Sequence, residues 1–310
     1  MRALVTGGCG FIGSHVVDAL VERGVTVKVV DRSAEVFREP VPSVEYVVGD
    51  FSDTSLMCEA LMGMDAVVHL ASTTVPSTSN IDPVADITGN LIATVRLIEG
   101  MRAVGVHNIV YMSSGGTVYG IPQTDPITEG HPLQPISSYG IVKSTIEKYL
   151  HMAHHLHGLR YCALRASNPY GPRQGHRGVQ GVIGTYLWRT ATGDLIEVWG
   201  DGSVVRDFIY VRDLADLCAS VLESNVSGIF NVGQGTGASI LDILGMIEKT
   251  VGKPLDPVFK PGRNFDVPRV VLDTSRARHA FHWAPKFDLQ GGIDQTWDWV
   301  SQQVRGDCSG

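Results

Sequence analysis

Short apolar segments alternate with amphipathic, helix-like segments throughout the first half of the chain. Six segments have the composition of strands: 3–7 (ALVTG), 25–30 (VTVKVV), 44–50 (VEYVVGD), 65–71 (DAVVHLA), 108–114 (NIVYMSS) and 159–167 (LRYCALRAS). Such alternation predicts a parallel sheet with helices on both faces. Nearly continuous apolar runs, such as the one in 65–71, fit strands that are buried on both sides. The sequence therefore predicts an α/β fold with a doubly wound parallel sheet.

The alternation changes after about residue 168, which predicts a second, smaller α/β lobe. The segment NPYGPRQGHRGVQG is rich in glycine, proline and charge, and it predicts a functional loop. Further helices and short strands follow it. We expect residues 1–167 to form the first domain, with 205–234 returning to it. Residues 168–204 and 235–310 then form a lobe that covers the carboxyl edge of the sheet.

Composition and charge exclude several classes of protein. The 310 residues are 44% hydrophobic and 18% charged, as in an ordinary soluble globular protein. No apolar run is long enough to cross a bilayer, and MRALVTGG resembles a first strand rather than a signal peptide. The five cysteines form no CxxC pair, which suits a cytoplasmic location. A net charge of −7 gives no support to nucleic-acid binding, although a few local arginines could hold an anionic small substrate.

A glycine-rich turn joins the first strand to the first helix. VTGGCGFIGSH places Gly7, Gly10 and Gly13 there. Glycines allow the backbone to approach a pyrophosphate, which then lies at the helix N-terminus. The alternative is a merely tight turn between strand and helix. The position of the turn at the first strand favours a dinucleotide site.

Acidic residues end the next two strands. Asp31 could hydrogen-bond the ribose hydroxyls of NAD and would repel the 2′-phosphate of NADP, although Arg32 beside it keeps NADP open. Asp50 and Phe51 could contact the adenine, or Asp50 could simply cap the strand end. NAD is the favoured cofactor.

Tyr139 and Lys143 are separated by one turn in the helix-like segment SSYGIVKSTIEKYL. An ammonium near a phenol favours the phenolate, so we expect Lys143 to lower the pKa of Tyr139. Such a phenol can serve as a general acid or base for an alcohol–ketone pair. The spacing alone is common, but it gains weight from the glycine turn and from the preceding SSGG.

These motifs together resemble the extended short-chain dehydrogenase/reductase family, especially its NAD-dependent UDP-hexose 4-epimerases. VTGGCGFIGSH, HLAS, SSGGTVYG, YGIVK, NPYGPRQ, WGDGSVVRDFIYVRDLA and FNVG occur in family order. The resemblance implies a Rossmann-like domain, a nucleotide-sugar substrate, and a homodimer formed through helices near 86–103 and 139–156. The cofactor residues it implies are Gly7, Gly10, Phe11, Ile12, Gly13, Asp31, Arg32, Asp50, Phe51, Leu70, Ala71, Ser72, Asn90, Ser113, Tyr139 and Lys143.

The chain departs from the family where a catalytic hydroxyl is usual. Counting back from TVYG puts Gly115 at that position. Thr117 or Ser114 could supply the hydroxyl, which is the favoured interpretation. Alternatively, Tyr139 acts alone, or the chain catalyses one-way reduction of a ketone.

The resemblance also assigns a substrate side. Arg206 and Arg263 would hold the diphosphate, Glu197 and Trp199 would lie beside the uracil, and Asn168 would contact the substrate. The other substrate residues are Gly115, Thr117, Asp266 and Val270. Val270 replaces a bulky tyrosine, which would leave room for an N-acetyl group. Each arginine could instead form a surface salt bridge, and Trp199 could serve only in packing.

Two alternative functions are compatible with the same fold. A 4-keto sugar-nucleotide reductase would use the same fold but consume a reduced cofactor, and a non-catalytic cofactor-sensing protein is a more remote alternative.

His151, His154 and His155 share a helix face, but no cysteine or carboxylate joins them, and we predict no metal site.

Overall fold

The computed structural model describes residues 1–175, 181–262 and 267–307. The strands are β1 (Arg2–Thr6), β2 (Thr26–Asp31), β3 (Val44–Val48), β4 (Ala66–His69), β5 (Asn108–Ser114), β6 (Arg160–Ala166), β7 (Asn168–Tyr170), β8 (Glu197–Trp199), β9 (Val205–Tyr210), β10 (Gly228–Val232), β11 (Gly237–Ser239), β12 (Val258–Lys260) and β13 (Arg269–Val270). The helices are α1 (Phe11–Glu22), α2 (Thr54–Leu61), α3 (Pro76–Ser79), α4 (Pro83–Asp86), α5 (Ala93–Val104), α6 (Ser138–His157), α7 (Val182–Thr192), α8 (Val211–Glu223), α9 (Ile240–Val251), α10 (Ser275–Phe281) and α11 (Leu289–Asp307). A π-helical segment, Ile87–Ile92, joins α4 to α5.

A seven-stranded parallel sheet forms the centre of the larger lobe, in the order β10-β6-β5-β4-β1-β2-β3. Both faces of the sheet are buried. In β1, Ala3 and Val5 belong to one apolar cluster and Leu4 to the other, as the alternation of a strand requires. Helices α1 and α8 pack together, and α5 contacts both α2 and α6. The predicted doubly wound α/β fold is confirmed.

Strands β2 and β3 follow β1 toward one edge of the sheet, whereas β4, β5 and β6 follow on its other side, so the strand order reverses at β1. Open α/β sheets bind ligands at such a point, outside the carboxyl ends of the strands. The glycine turn at residues 7–13 and the loop that follows β4 both lie at this edge. The topology therefore brings together segments that are far apart in the sequence.

The smaller lobe contains two short sheets, with strand order β11-β9-β13 in one and β12-β8 in the other, while β7 pairs with β9. Helices α7, α9 and α11 pack around them. Strand β10 joins the large sheet, and α8 packs on α1. Strand β9 belongs to the smaller lobe, although the predicted division assigned residues 205–234 to the first domain. Helix α10 also departs from that division, because Phe281 and Trp283 pack against the core of the larger lobe.

A buried ion pair links α6 to β6. Arg165 and Glu147 are 2% and 1% exposed, and Arg165 Nη2 lies 2.7 Å from Glu147 Oε2. Arg165 Nη1 also donates to the Tyr119 hydroxyl at 2.9 Å, and that hydroxyl donates to Asn231 Oδ1 at 2.5 Å. Buried charges are tolerated when they are paired and hydrogen-bonded in this way. The network fixes α6 relative to the strands beneath it.

Candidate active site

The glycine turn leaves the N-terminus of α1 open to an anion. Gly10 is the N-cap residue and provides no side-chain cap for the first backbone N–H groups. A Cβ at Gly13 would lie 1.9 Å from the Gly7 carbonyl oxygen, so only glycine fits there. This close approach of turn and helix, with free donors at the helix end, suits the pyrophosphate of a dinucleotide.

Asp31 lies next to this turn, at the carboxyl end of β2. Its Oδ2 accepts a hydrogen bond from the Cys9 backbone N–H at 3.0 Å, and its Oδ1 accepts one from Ser33 at 3.1 Å. Arg32 is exposed. The carboxylate is therefore held by backbone groups where the ribose of a dinucleotide is bound in this type of fold.

The residues after β3 and β4 line the same edge of the sheet. A hydrogen bond from the Ser52 backbone N–H lowers the pKa of Asp50. Phe51 is buried, with its ring 5.2 Å from that of His69. Leu70, Ala71 and Ser72 follow β4, and the Leu70 N–H donates to the Thr6 carbonyl at 3.1 Å.

Two predicted cofactor residues have their polar groups engaged by the protein itself. Asn90 Oδ1 accepts from the Thr73 backbone N–H, and Asn90 Nδ2 donates to Asp86 Oδ1, both at 2.8 Å. The Ser113 hydroxyl donates to Glu147 Oε1 at 2.5 Å. These side chains therefore support the loops of the site through protein contacts.

Tyr139 and Lys143 share one face of α6, as their spacing predicts. The Lys143 ammonium donates to the Met112 carbonyl at 2.7 Å. It lies 5.4 Å from the centroid of the Tyr139 ring and 4.8 Å from that of Tyr111. The ammonium is therefore held between the two rings at the carboxyl end of β5.

The expectation that Lys143 lowers the pKa of Tyr139 is wrong: with only the chain's own groups present, that pKa is raised. Burial raises the pKa of Tyr139 to about 12, and the charge of Asp86 acts in the same direction. Burial also lowers the pKa of Lys143 to about 8, although Asp86 and Glu147 oppose that effect. Desolvation disfavours the charged form of both groups and is the largest cause of both shifts.

A cavity of about 520 Å³ extends from the glycine turn across Tyr139 to the smaller lobe. Ile12 lies at one end, and Trp199 and Arg206 at the other. Its walls also include Ser113, Ser114, Gly116, Thr117, Tyr139 and Asn168. Most of the predicted catalytic side chains thus meet in one space between the two lobes.

Thr117 provides a hydroxyl that no described residue engages. Its Oγ1 is buried without a hydrogen-bond partner and the residue lines the cavity, as Ser114 also does. Because the Thr117 oxygen is buried, it is not exposed to the open cavity as it stands. Thr117 and Ser114 both line the cavity, and both stay candidates for the hydroxyl that Gly115 lacks.

Gly115 does not face the cavity. A Cβ there would lie 2.5 Å from Leu272 Cδ1 and 2.8 Å from the Arg165 carbonyl oxygen. Gly115 is also absent from the residues that form the cavity wall. Position 115 is therefore closely packed in this chain, and a side chain there would meet Leu272 and the Arg165 backbone.

Two predicted substrate residues, Asn168 and Arg206, line the cavity in fixed orientations. Asn168 Nδ2 donates to the Asp207 carbonyl at 2.8 Å. Arg206 Nη1 donates to the carbonyls of Val205 and Val267, at 2.8 and 2.7 Å. A guanidinium anchored in this way suits phosphate oxygens.

Trp199 also lines the cavity, but two other substrate predictions are not supported by the geometry. Glu197 points its carboxylate at Lys260 and Arg189, 3.4 and 3.6 Å away, and is not part of the cavity wall. Val270 is buried in a small apolar cluster with Val118, Tyr119, Ile127 and Leu272. Arg263 and Asp266 lie outside the described residues.

Comparison with known proteins identifies the family. The profile described as "NAD dependent epimerase/dehydratase family" matches residues 3–233. The chain belongs to that family. Family members depend on NAD, so NAD is the cofactor of this enzyme, and the glycine turn and Asp31 have the geometry to hold it.

Individual relatives agree with this assignment over nearly the full chain. The chain is 37% identical over 308 residues to a UDP-glucose 4-epimerase of Mycolicibacterium smegmatis, covering 96% of this chain and 97% of the relative. It superposes with a TM-score of 0.94 on a UDP-glucose 4-epimerase from Thermotoga maritima with UDP-glucose, at 34% identity, covering 98% and 100% of the two chains. A UDP-N-acetylglucosamine 4-epimerase from Methanobrevibacter ruminantium, in complex with UDP-N-acetylmuramic acid, gives 0.92 at 28% identity, covering 97% and 98%.

Several cavity residues of this family member were not predicted from the sequence. Gln174, Tyr186 and Phe208 line the cavity, and Asp86 lies beneath Tyr139. Gln174 belongs to the NPYGPRQ motif, which signals a functional loop but gives no role to the glutamine. Tyr186 and Phe208 resemble ordinary core residues in the sequence, so no pattern identifies them.

The described residues were compared with the requirements of a metal site and of a membrane-spanning helix. Within residues 1–175, 181–262 and 267–307, no cluster of histidine, cysteine and acidic residues has the geometry of a metal site. Over the same ranges, no helix combines the length and hydropathy needed to cross a membrane.

The packing of Gly115 predicts a specific loss of stability. Gly115→Ala should lower the free energy of unfolding by about 1–3 kcal/mol, because its methyl group would meet the Arg165 backbone. The matched control is Gly116→Ala, since a Cβ at Gly116 meets no atom within 4 Å. Urea unfolding of the three proteins measures the difference. Equal stability of the two variants would contradict the packing role.

Proposed function

We propose that the chain is a UDP-hexose 4-epimerase that interconverts UDP-glucose and UDP-galactose, with the N-acetylated pair as a second candidate substrate. The observation that carries the proposal is the single cavity that joins Ile12 of the glycine turn, Tyr139, the unpaired Thr117 hydroxyl and Arg206. The similarity to epimerases over nearly the full chain supports it.

The proposed reaction gives a role to the predicted catalytic and diphosphate-binding side chains. Tyr139 takes the proton of the 4-hydroxyl and later returns one, while Thr117 hydrogen-bonds the same oxygen. The glycine turn and Asp31 would hold NAD, which would supply the acceptor and donor of the C4 hydride. Lys143 supplies a positive charge near the phenol. Arg206, with Arg263, holds the diphosphate while the ketose turns over.

The nucleotide end of the cavity is the smaller lobe. Trp199 is 44% exposed and lines the cavity, and its ring is the proposed contact for a flat base such as uracil. Asn168 also lines the cavity and is anchored by the hydrogen bond from its Nδ2 to the Asp207 carbonyl. The N-acetylated sugars are supported by the similarity to a UDP-N-acetylglucosamine 4-epimerase rather than by Val270, whose side chain packs in the core.

A cytoplasmic location is part of the proposal. The four cysteines that the structure describes, Cys9, Cys58, Cys162 and Cys218, are free thiols. Free cysteines are typical of a reducing compartment.

The proposed activity predicts conversion without added cofactor. The purified chain is incubated separately with UDP-glucose, UDP-galactose, UDP-N-acetylglucosamine and UDP-N-acetylgalactosamine, and the products are followed by NMR. We expect the 4-epimer to appear. Tyr139→Phe should lower kcat by roughly 10²–10⁴-fold, because it removes the acid–base group.

The same assay separates the alternatives. A chain that converts none of the four sugars, but oxidises added reduced cofactor with a 4-keto sugar nucleotide, is a reductase and contradicts the proposal. A chain that binds NAD but retains its cellular effect with Tyr139→Phe fits the cofactor-sensing alternative.

The Thr117 hydroxyl provides a separate prediction. Thr117→Val keeps the shape of the side chain but removes the hydrogen bond to the substrate oxygen, and should lower kcat by about 10²-fold. Thr117→Ser retains a hydroxyl and should keep most of the activity. Ser114→Ala serves as the comparison, since Ser114 is the other candidate. Full activity of Thr117→Val with loss in Ser114→Ala would reassign the role.

We propose that the chain forms a homodimer through α5 and α6, as the family resemblance implies. Ile141, Tyr149, Met152 and Leu156 are exposed on α6, and their spacing places them along one face. Ile92, at the start of α5, is also exposed. A row of exposed apolar side chains on packed helices is typical of an interface.

The dimer can be tested with matched surface variants. Ile141→Glu combined with Leu156→Glu places two charges in the proposed interface and should shift the sedimenting mass from two chains to one. Leu195→Glu adds a charge at an exposed leucine of the smaller lobe and should leave the dimer intact. A monomeric wild type, or dissociation by Leu195→Glu, would exclude this interface.

A further inference from the structure

Asp86 is a wholly buried carboxylate beside the reactive pair. It lies at the end of α4, 0% exposed, and its three described hydrogen bonds all come from neutral donors. Thr74 Oγ1 and Asn90 Nδ2 donate to Oδ1, at 2.6 and 2.8 Å, and Ser138 Oγ donates to Oδ2 at 2.6 Å. Burying a charge is unfavourable, so its presence calls for a role.

The hydrogen bonds of Asp86 connect three segments of the site. Thr74 belongs to the loop after β4, Asn90 to the π-helical segment, and Ser138 is the first residue of α6. Ser138 immediately precedes Tyr139. A shift of Asp86 would therefore be transmitted to the turn that carries the phenol.

Neighbouring residues complete this attachment of α6. Asn80 Oδ1 accepts the Ser138 backbone N–H at 2.8 Å, and Ser79 Oγ accepts the Tyr139 backbone N–H at 3.1 Å. The first N–H groups of a helix have no partner within the helix. Here the segment 79–86 provides partners from outside, so the start of α6 is tied to it through both backbone and side chain.

Asp86 also acts through its charge. It lines a small cleft together with Tyr139, Lys143, Tyr111 and His69. Other groups also face the pair of Tyr139 and Lys143. Glu147 lies on the same helix as Lys143, Tyr111 lies on β5, and His69 lies on β4. Burial keeps the pKa of His69 near 3, so it is neutral. Asp86 and Glu147 are therefore the carboxylates that offset the desolvation of the Lys143 ammonium.

We propose that Asp86 is a positioning residue of this active site, which sets the placement of Tyr139 through its hydrogen bond with Ser138. The proposal rests on the acid–base role of Tyr139 given above. Asp86 contacts neither substrate nor reacting atoms in this scheme. It acts through Tyr139, which does.

Asp86→Asn tests the charge in the purified holoenzyme. An asparagine has the same shape and can keep hydrogen bonds with Thr74, Asn90 and Ser138. Removing the negative charge makes deprotonation of both Tyr139 and Lys143 easier. The acidic and the alkaline limb of the kcat–pH profile should therefore both move to lower pH, by about one unit. KM for the UDP-sugar should stay close to the wild-type value.

Two variants serve as controls. Asp82→Asn removes the same charge from the exposed N-cap of the same helix, and should leave the profile unchanged. Ser138→Ala keeps the charge but breaks the link to α6. It should lower kcat several-fold with little change in KM and without moving the limbs.

A second measurement does not depend on epimerase activity. The chain has nine tyrosines, so ultraviolet difference spectra of each protein minus its Tyr139→Phe counterpart isolate the ionisation of Tyr139. Asp86→Asn should raise the ionised fraction at a given pH below alkaline unfolding. If no sugar is converted but this shift is seen, the proposed function fails while the role of Asp86 stands.

Three results would overturn the proposal. The first is an unmoved tyrosinate titration and kcat profile in Asp86→Asn. The second is a uniform loss of activity at every pH with a lower Tm, which indicates a purely structural residue. The third is wild-type kcat in Ser138→Ala.

Discussion

The contact between α6 and the carboxyl end of β5 determines where the reactive groups lie. Lys143 donates to the Met112 carbonyl, and Glu147, one turn further along, accepts from the Ser113 hydroxyl. Glu147 also pairs with Arg165 of the next strand. Because Tyr139, Lys143 and Glu147 are spaced one turn apart, fixing the last two against the sheet sets the direction of the first. The loop after β5, which carries Thr117, begins at the same point.

Desolvation is the opposing force at this site. The chain places a phenol and an ammonium in a cleft beside Asp86, and burial makes the charged form of the phenol and of the ammonium less favourable. The result is a high pKa for Tyr139 and a low one for Lys143. A site of this kind responds strongly to any further charge, since electrostatic interactions strengthen as water is excluded. The cationic nicotinamide would add a charge that favours the phenolate, which the protein's own groups do not achieve.

Local patterns in the sequence predicted the fold well and the site unevenly. Strand–helix alternation, the glycine turn and the Tyr139–Lys143 spacing depend on neighbours in sequence, and the structure agrees with each. The pKa of Tyr139 depends on burial by distant segments, which spacing does not reveal. Asp86 stands in a helix-like segment where an aspartate ordinarily faces water, so nothing marked it as buried. Counting along a motif selected Gly115 and Val270 but did not reveal that both positions are packed against the core.

The direction of position 115 explains how the site can differ from the family pattern without losing a hydroxyl. A Cβ at 115 would point at Leu272 and the Arg165 backbone, so a serine there would need both to move. Two residues later, after one turn, Thr117 reaches the cavity wall, and its N–H donates to the Ser114 carbonyl at 3.4 Å. The turn therefore holds Ser114 and Thr117 on the cavity side and Gly115 on the core side. In this geometry a glycine at 115 allows the close packing on the core side, while the turn closed on the Ser114 carbonyl places residue 117 at the cavity wall.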